Sequence, residues 1–480
     1  MPKRVRASNR KTFLSNLIRT GYLPDEVPPF VTTKYFSQFC LSEYAFLESQ
    51  APRNLNLSTS YARFTAPRTN KGRRQLALVH PIAQATLSML ITQHRSEIKN
   101  IIKSRPSSLY SVEEDLIHNR AFIGLRFRHW EEEKAKLYSR YKFIMQADIS
   151  RFFYTIYTHS IPWAVLGKEK AKHLFHHNKA KLKNHWSNKL DMAIQATQAR
   201  ETFGLPVGPD TSRIIAELIL ARVENEEAYA EVMSGGRSVR LLDDFDAGFD
   251  TEAIADSALA ALRTELWRYN LQINEEKSRV CRSREIFRPN WRREMSRFAI
   301  AEHSESSQRQ DIRDYVDLTL DRCLQASVGG PASWACNRLS RVNIFPANLA
   351  LVLNSMYRLS RDYPYCLPLV CSFIINNRYI ITYSKQKKKL VDWVKQSLRT
   401  HCANGDDIET AWLLFVCGVL KIDLEPEALP HFGSQPNPIV FSMLGLLREK
   451  KVLSVPLQNW PWRSTFIRTG AIRYTLAANV

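Results

Sequence analysis

Apolar and polar positions alternate in blocks whose period changes along the chain. Residues 81–103 carry Leu87, Leu90, Ile91, His94, Ile98 and Ile101 at helical spacing. Residues 142–147 are a short apolar run that predicts a strand. Ile254, Leu259, Leu262 and Leu266 share one stripe, so 251–267 predicts an amphipathic helix packed on a flat surface. Residues 302–310 are polar and read as a linker. Beyond them the pattern is helical, over 346–359, 388–398, 408–420 and 438–448, with Asp406 and Glu409 as a capping box for the third of these. No strict repeat period emerges, and the region reads as stacked helical hairpins. The pattern divides the chain into 1–60, a basic arm with a helical lead-in broken by Pro24, Pro28 and Pro29; 61–300, mixed α and β; and 301–480, all helical.

Composition narrows the class. The 480 residues are 44% apolar and 24% charged, which excludes a mostly disordered, collagen-like or coiled-coil chain. No apolar run reaches the roughly 18 residues of a membrane-spanning helix, so no membrane partner is expected. Lys and Arg number 68 against 47 Asp and Glu, a net charge of +21 that calls for a polyanionic partner. The eight cysteines form no Cys-x-x-Cys pair and sit in apolar contexts, as in reduced thiols of a cytoplasmic protein. The basic N-terminus is not followed by an apolar stretch, so no signal peptide is expected.

Two segments carry the chemistry. An apolar strand over 143–148 delivers Asp148, followed by Phe152 and Phe153. A second apolar strand, from Val239, runs into Asp243 and Asp244 before another strand leaves, which predicts a β-hairpin with two carboxylates at its tip. Adjacent carboxylates are costly unless a cation offsets them. With Asp148 alongside, three would converge, a cluster suited to two Mg²⁺ ions, or Mn²⁺ in their place, about 3.5–4 Å apart. Between the segments, Gly204, Pro206, Gly208 and Pro209 fix an irregular loop that lets backbone approach a ligand, with Asp210 as the N-cap of a helix buried through Ile214, Ile215, Leu218 and Ile219.

Asp-x-x-x-Phe-Phe from Asp148, Gly-Leu-Pro-x-Gly-Pro-Asp-Thr-Ser from Gly204, and the Asp243–Asp244 hairpin resemble motifs A, B and C of reverse transcriptases, in order. Residues 271–278, Leu-Gln-Ile-Asn-Glu-Glu-Lys-Ser, resemble motif D. His159-Ser-Ile-Pro-Trp163, Gly167-Lys168, the 204–212 phrase and a helical C-terminal region narrow the resemblance to prokaryotic defence-associated and abortive-infection reverse transcriptases. The resemblance implies an α+β right-hand polymerase, fingers and palm over 61–300, followed by an all-α thumb-like domain. It also implies an RNA-directed DNA polymerase of a bacterial antiphage system, located in the cytoplasm. Its partners would be dNTPs, an RNA template or associated non-coding RNA, the DNA product, and a further copy of the chain or a second defence subunit.

Carried over residue by residue, the resemblance makes Asp148, Asp243 and Asp244 metal ligands, assisted by the Ile149 carbonyl. Lys277 becomes a proton donor to the leaving pyrophosphate, and Phe153 a gate against a ribose 2′-hydroxyl. Arg68, Lys71 and Arg74 would clamp the triphosphate, with Arg74 preferred over Arg73 because Gln-Leu follows it, and Gly204, Pro206 and Val207 would form the nucleotide platform. Two positions depart from the pattern. Leu241 stands where Tyr is usual before x-Asp-Asp, and Val207 where retroviral relatives commonly have Gln.

A basic stripe follows motif D, where a primer grip and thumb belong: Arg279, Arg282, Arg284, Arg288 and Arg292, with Phe287 and Trp291 interleaved, suited to holding phosphates and stacking bases. The run around Lys387 is weaker and reads as a solvated face. His173, His176, His177 and His185 lack supporting Cys or acidic residues and read as a solvated insertion, not a zinc site. Asp246 reads as a solvated or ion-paired residue outside the site. Two other readings stay open: template-independent or protein-primed synthesis at the same site, and a degenerate polymerase that scaffolds RNA.

Overall fold

The computed structural model describes residues 10–29, 31–69, 72–103, 121, 127–326, 330–382, 386–424, 440 and 473–474. The chain is mixed α+β as far as the 279–282 strand. From there to residue 424 it is helical. Apart from a two-residue ladder joining Val31–Thr32 to Arg473–Tyr474, six strands are labelled here: β1 (Ala62–Pro67), β2 (Arg73–Leu78), β3 (Phe143–Asp148), β4 (Arg237–Leu241), β5 (Asp244–Phe249) and β6 (Arg279–Arg282). β1 and β2 form a hairpin. The other four make one antiparallel sheet in the order β4-β5-β3-β6.

Period-two alternation explains how that sheet is covered. Phe143, Met145 and Ala147 of β3 and Phe245, Ala247 and Phe249 of β5 point to one face, where helices Asp210–Val223 and Glu252–Arg268 bury them. Ile144 points to the other face, against Leu137 and Tyr141 and beside Val239. Asp148, Gln146, Asp244 and Asp246 share that second face by register. The 252–268 helix begins at its Thr251 cap, close to expectation, but its buried face is Ala255, Ala258, Leu262 and Leu266, and Ile254 is 38% exposed. Alanine on the packed face lets the helix come close to the sheet, so small residues won over the larger apolar one. The predicted 81–103 helix is two helices, Pro81–Gln93 and Arg95–Lys103, that meet at His94.

A second core joins the β1–β2 hairpin to the helices from 290 onward. Helix Arg10–Arg19 serves both cores: Phe13 and Leu17 enter the sheet's core, Leu14 and Ile18 the other. A helix expected in the lead-in thus packs into both cores. The 302–310 linker is corrected. Ser304 caps a helix that runs Glu305–Gln325, and Gln308 is fully buried, donating to the Ala301 and Asn343 carbonyls and accepting from Phe345 N–H. A polar residue fully satisfied in this way holds a helix together where sequence suggests a break.

Helices Leu349–Asp362, Gln386–Asn404 and Asp407–Leu420 lie at the predicted places. The predicted 438–448 helix lies outside the described residues except Val440. The capping box does not form. Asp406 accepts from His401 Nδ1 at 2.8 Å and pairs with Arg73 at 2.8 Å, and Glu409 takes the Arg73 fork at 2.8 and 2.9 Å. An arginine from the distant hairpin outcompetes the local cap. All eight cysteines are free thiols.

Candidate active site

β3 ends at Asp148 and β5 begins at Asp244, and the two are direct cross-strand partners. Asp243 precedes Asp244 in the two-residue turn that closes β4 on β5, after Leu242 at φ +54°. Asp243's carbonyl accepts from Ile149 N–H at 3.3 Å, which ties the turn to the end of β3. The register therefore brings all three carboxylates to one end of the sheet. Burial, then the neighbouring charges, push Asp243 up to about 6 and Asp244 up to about 7. Arg74 and Lys277 pull Asp243 back, and Lys134 does so for Asp244. Oxygen-only donors under mutual repulsion suit a hard divalent cation. The three are not drawn tightly together, however. Among the described residues, the trio whose ligating atoms all lie within 4.8 Å is His401, Asp406 and Glu409, and Arg73 already pairs with two of those.

Residues 271–278 wrap around Asp148. Asn274 N–H donates to the Asp148 carbonyl at 2.7 Å, and its Nδ2 to the carboxylate Oδ2 at 3.0 Å. Lys277 Nζ reaches the same oxygen at 3.3 Å, and Asp148 N–H donates to Ser278 Oγ at 3.2 Å. Lys277 is thus at the carboxylates and exposed. Asn274 was not singled out from sequence, although it lies inside the quoted 271–278 motif.

The loop over 203–209 is threaded between neighbours. Gly204 (φ +84°) donates to the Ile156 carbonyl, and Leu205 N–H donates to Phe153's at 2.7 Å. A Cβ on Gly204 would come within 3.3 Å of the Tyr154 carbonyl. Phe153 is half-buried and touches both cores. Val207 and Pro206 are buried. The Val207 carbonyl accepts from Ala77 N–H of β2, so the side chain expected at the platform belongs to the core. Gly208 (φ +131°) lies under Pro24, whose ring stands 2.5 Å from where a Cβ would be. Asp210 is the first residue of its helix and pairs with Arg213. Pro209 holds the cap position, one residue before expectation.

On β2, adjacent arginines point opposite ways. Arg73 goes to Glu409 and Asp406. Arg74 lies 3.6 Å from Glu26, and its charge acts on Asp243 and Tyr154. Arg68 is exposed, acts on Tyr154, and closes the hairpin by donating its N–H to the Gly72 carbonyl at 2.8 Å. Lys71 lies outside the described residues.

Beneath the tip, a buried ion cluster escaped the sequence reading. Arg240 is fully buried; it forks onto Glu217 at 3.0 Å, reaches Glu224 at 3.0 Å, and donates to the Leu242 carbonyl at 3.1 Å. Its signal in sequence is an arginine set between Val239 and Leu241, and two glutamates seven apart, one within an apolar helix and one at its C-cap. Asp246 is buried and held by Lys134 at 2.8 Å, Tyr138 and Gln146, so it supports the sheet.

The basic stripe is dispersed. Arg279 contacts Gln146, Arg282 lies over Phe143, and Arg284 is exposed. Arg288 and Arg292 both approach Glu131, at 3.4 and 3.6 Å, and Trp291 packs edge-on against Trp334. His173, His176 and His177 lie together on one helix, and His185 caps the start of the helix Trp186–Ala196.

No protein-family model matches the chain, and no curated protein matches it in sequence. Among solved structures, the chain is similar to apo telomerase from Candida tropicalis, at 11% identity and TM-score 0.33, over 87% of this chain and 69% of that one. It is similar also to telomerase from Candida albicans in complex with a fragment of telomeric RNA, at 11% identity and TM-score 0.30, over 87% and 68%. At such scores the likeness carries no weight for this chain's function, and the reading below stands on the site.

Proposed function

We propose that the chain is an RNA-directed DNA polymerase that transfers nucleotides from dNTPs to a 3′-hydroxyl, in the antiphage setting that its motifs imply. The observation that carries the reading is the register Asp148 opposite Asp244, with Asp243 in the adjoining turn. Asp148, Asp243 and Asp244 would hold the divalent ions, with help from the Ile149 carbonyl. Bound there, such ions lower the barrier by activating the attacking hydroxyl and neutralising charge on the phosphoryl group. The chain's own groups do the rest. Asn274 fixes Asp148, and Lys277 stands where a proton can be given to the leaving group. Arg74 and Arg68 supply guanidinium forks beside Tyr154 for phosphate oxygens. Phe153 crowds the ribose 2′ position.

The test supplies each labelled dNTP, singly and together, to protein purified with its nucleic acid, in Mg²⁺. The paired protein carries Asp243→Asn and Asp244→Asn. Product from the wild type alone, lost on prior RNase treatment, supports the reading. Phe153→Ala is expected to admit ribonucleotides. Absence of product from wild type with every dNTP combination refutes the polymerase, and RNase-insensitive product refutes RNA templating.

A further inference from the structure

The helix Asn290–Arg297 supplies one wall of a cavity of about 720 Å³, within the range of small-ligand sites. The opposite wall comes from the helix Pro331–Leu339 and the turn after it, which no sequence reading singled out. Trp291 and Trp334 meet there edge to face, 6.2 Å apart at 79°. A Cβ at Gly330 would stand 3.0 Å from the Trp291 indole, so glycine there leaves the ring its position. Arg292 lies over the Trp334 ring at 5.3 Å. Arg338 and Arg341 also line the space, against a single carboxylate, Glu302. Arg338 donates one Nη2 bond to the Phe298 carbonyl, but its buried Nε has no hydrogen-bond partner. Ser296, Asn337 and Arg341 are exposed, so the cavity opens to solvent, and exposed Arg293 and Arg297 continue the positive surface.

We propose that this cavity takes an unpaired nucleotide of a single-stranded polynucleotide. Indoles in the lining offer apolar surface against which any base can pack, with Arg292 already over one of them, and guanidinium groups hold the flanking phosphates. A duplex hides its base faces, so it cannot use the indoles. The open, positively charged rim favours a polymer over a free nucleotide. The site is separate from the carboxylates, and binding does not depend on the polymerase reading.

The test is fluorescence anisotropy of fluorescein-labelled oligothymidylate and oligouridylate, each twelve nucleotides long, and a duplex of equal length. The full chain is stripped of nucleic acid and given no dNTP. Arg341→Glu changes an exposed side chain, and Trp334→Leu keeps an apolar filler. Both single strands are expected to bind more tightly than the duplex, with about a tenfold loss for Arg341→Glu and about fivefold or more for Trp334→Leu. Tighter binding of oligouridylate assigns RNA as the source, and tighter binding of oligothymidylate assigns DNA. Equal affinity of wild type and the Arg341→Glu protein overturns the proposal. So does duplex bound as tightly as single strand, or displacement by oligoglutamate as effective as by unlabelled oligonucleotide.

Discussion

Replacing Arg240 with methionine removes the cation from a site that is almost wholly dry. Arg240 and Glu217 have no side-chain exposure and Glu224 has 1%, so two buried carboxylates would lose their guanidinium partner. Stranding charges of this kind costs about 3–5 kcal/mol, whereas the intact cluster adds little over a well-packed apolar trio. The same cation donates to the Leu242 carbonyl, in the left-handed residue that starts the turn bearing Asp243. Two effects should therefore separate. In urea unfolding followed by tryptophan emission, Arg240→Met should lose about 3–5 kcal/mol, and adding Glu217→Gln and Glu224→Gln should recover about half. Arg240→Lys keeps the charge but not the fork. It should cost less stability, yet lower kcat for nucleotide incorporation roughly ten- to a hundredfold, because the turn loses its anchor. An Arg240→Met loss below about 1 kcal/mol, or a triple variant no more stable than the single one, would refute the reasoning.

Asp243 and Asp244, pushed up to about 6 and about 7, take up protons on folding that the unfolded chain, with carboxylates near about 3.9, releases. Metal-free protein should lose stability as pH climbs from about 4 through 7, and Mg²⁺ should raise the melting temperature more at pH 8 than at pH 5. An equal Mg²⁺ effect at both pH values would count against this. Arg73→Ala should cost about 1–2 kcal/mol by breaking the contact with Glu409, without changing KM for dNTP, whereas Arg74→Ala should raise that KM and leave the urea midpoint unchanged. Gly208→Ala meets both a positive φ and the Pro24 ring, and should cost about 2 kcal/mol or more, read by thermal unfolding.

What was legible in the sequence was local. β3 and the β4–β5 hairpin announce themselves because an apolar run ends in aspartate, and side-chain alternation then fixes which face each carboxylate takes. Long-range competition was not legible. Asp406 and Glu409 carry the spacing of a capping box, but Arg73, more than 330 positions earlier, claims both. Arg240 and its two glutamates belong to different elements, so neither segment alone shows that they share one buried site. Asn274 was hidden by its neighbour Lys277, whose charge draws the eye to chemistry when both hold the same oxygen.

The segment after helix Arg10–Arg19 has a consequence for how the chain comes into being. Tyr22 donates to the Val79 carbonyl, Gly21 accepts from Asp210 N–H, and Glu26 accepts from Trp412 Nε1 across 386 positions. The first partner to leave the ribosome therefore waits longest for its last. At about 5–20 residues per second, the delay is roughly 20–80 s, during which Leu14 and Ile18 have no finished core to enter, although the sheet's core that takes Phe13 and Leu17 is complete by Ile273. Synthesis that stops short of Trp412 leaves the Leu14–Ile18 face uncovered, a handle for chaperones and proteases.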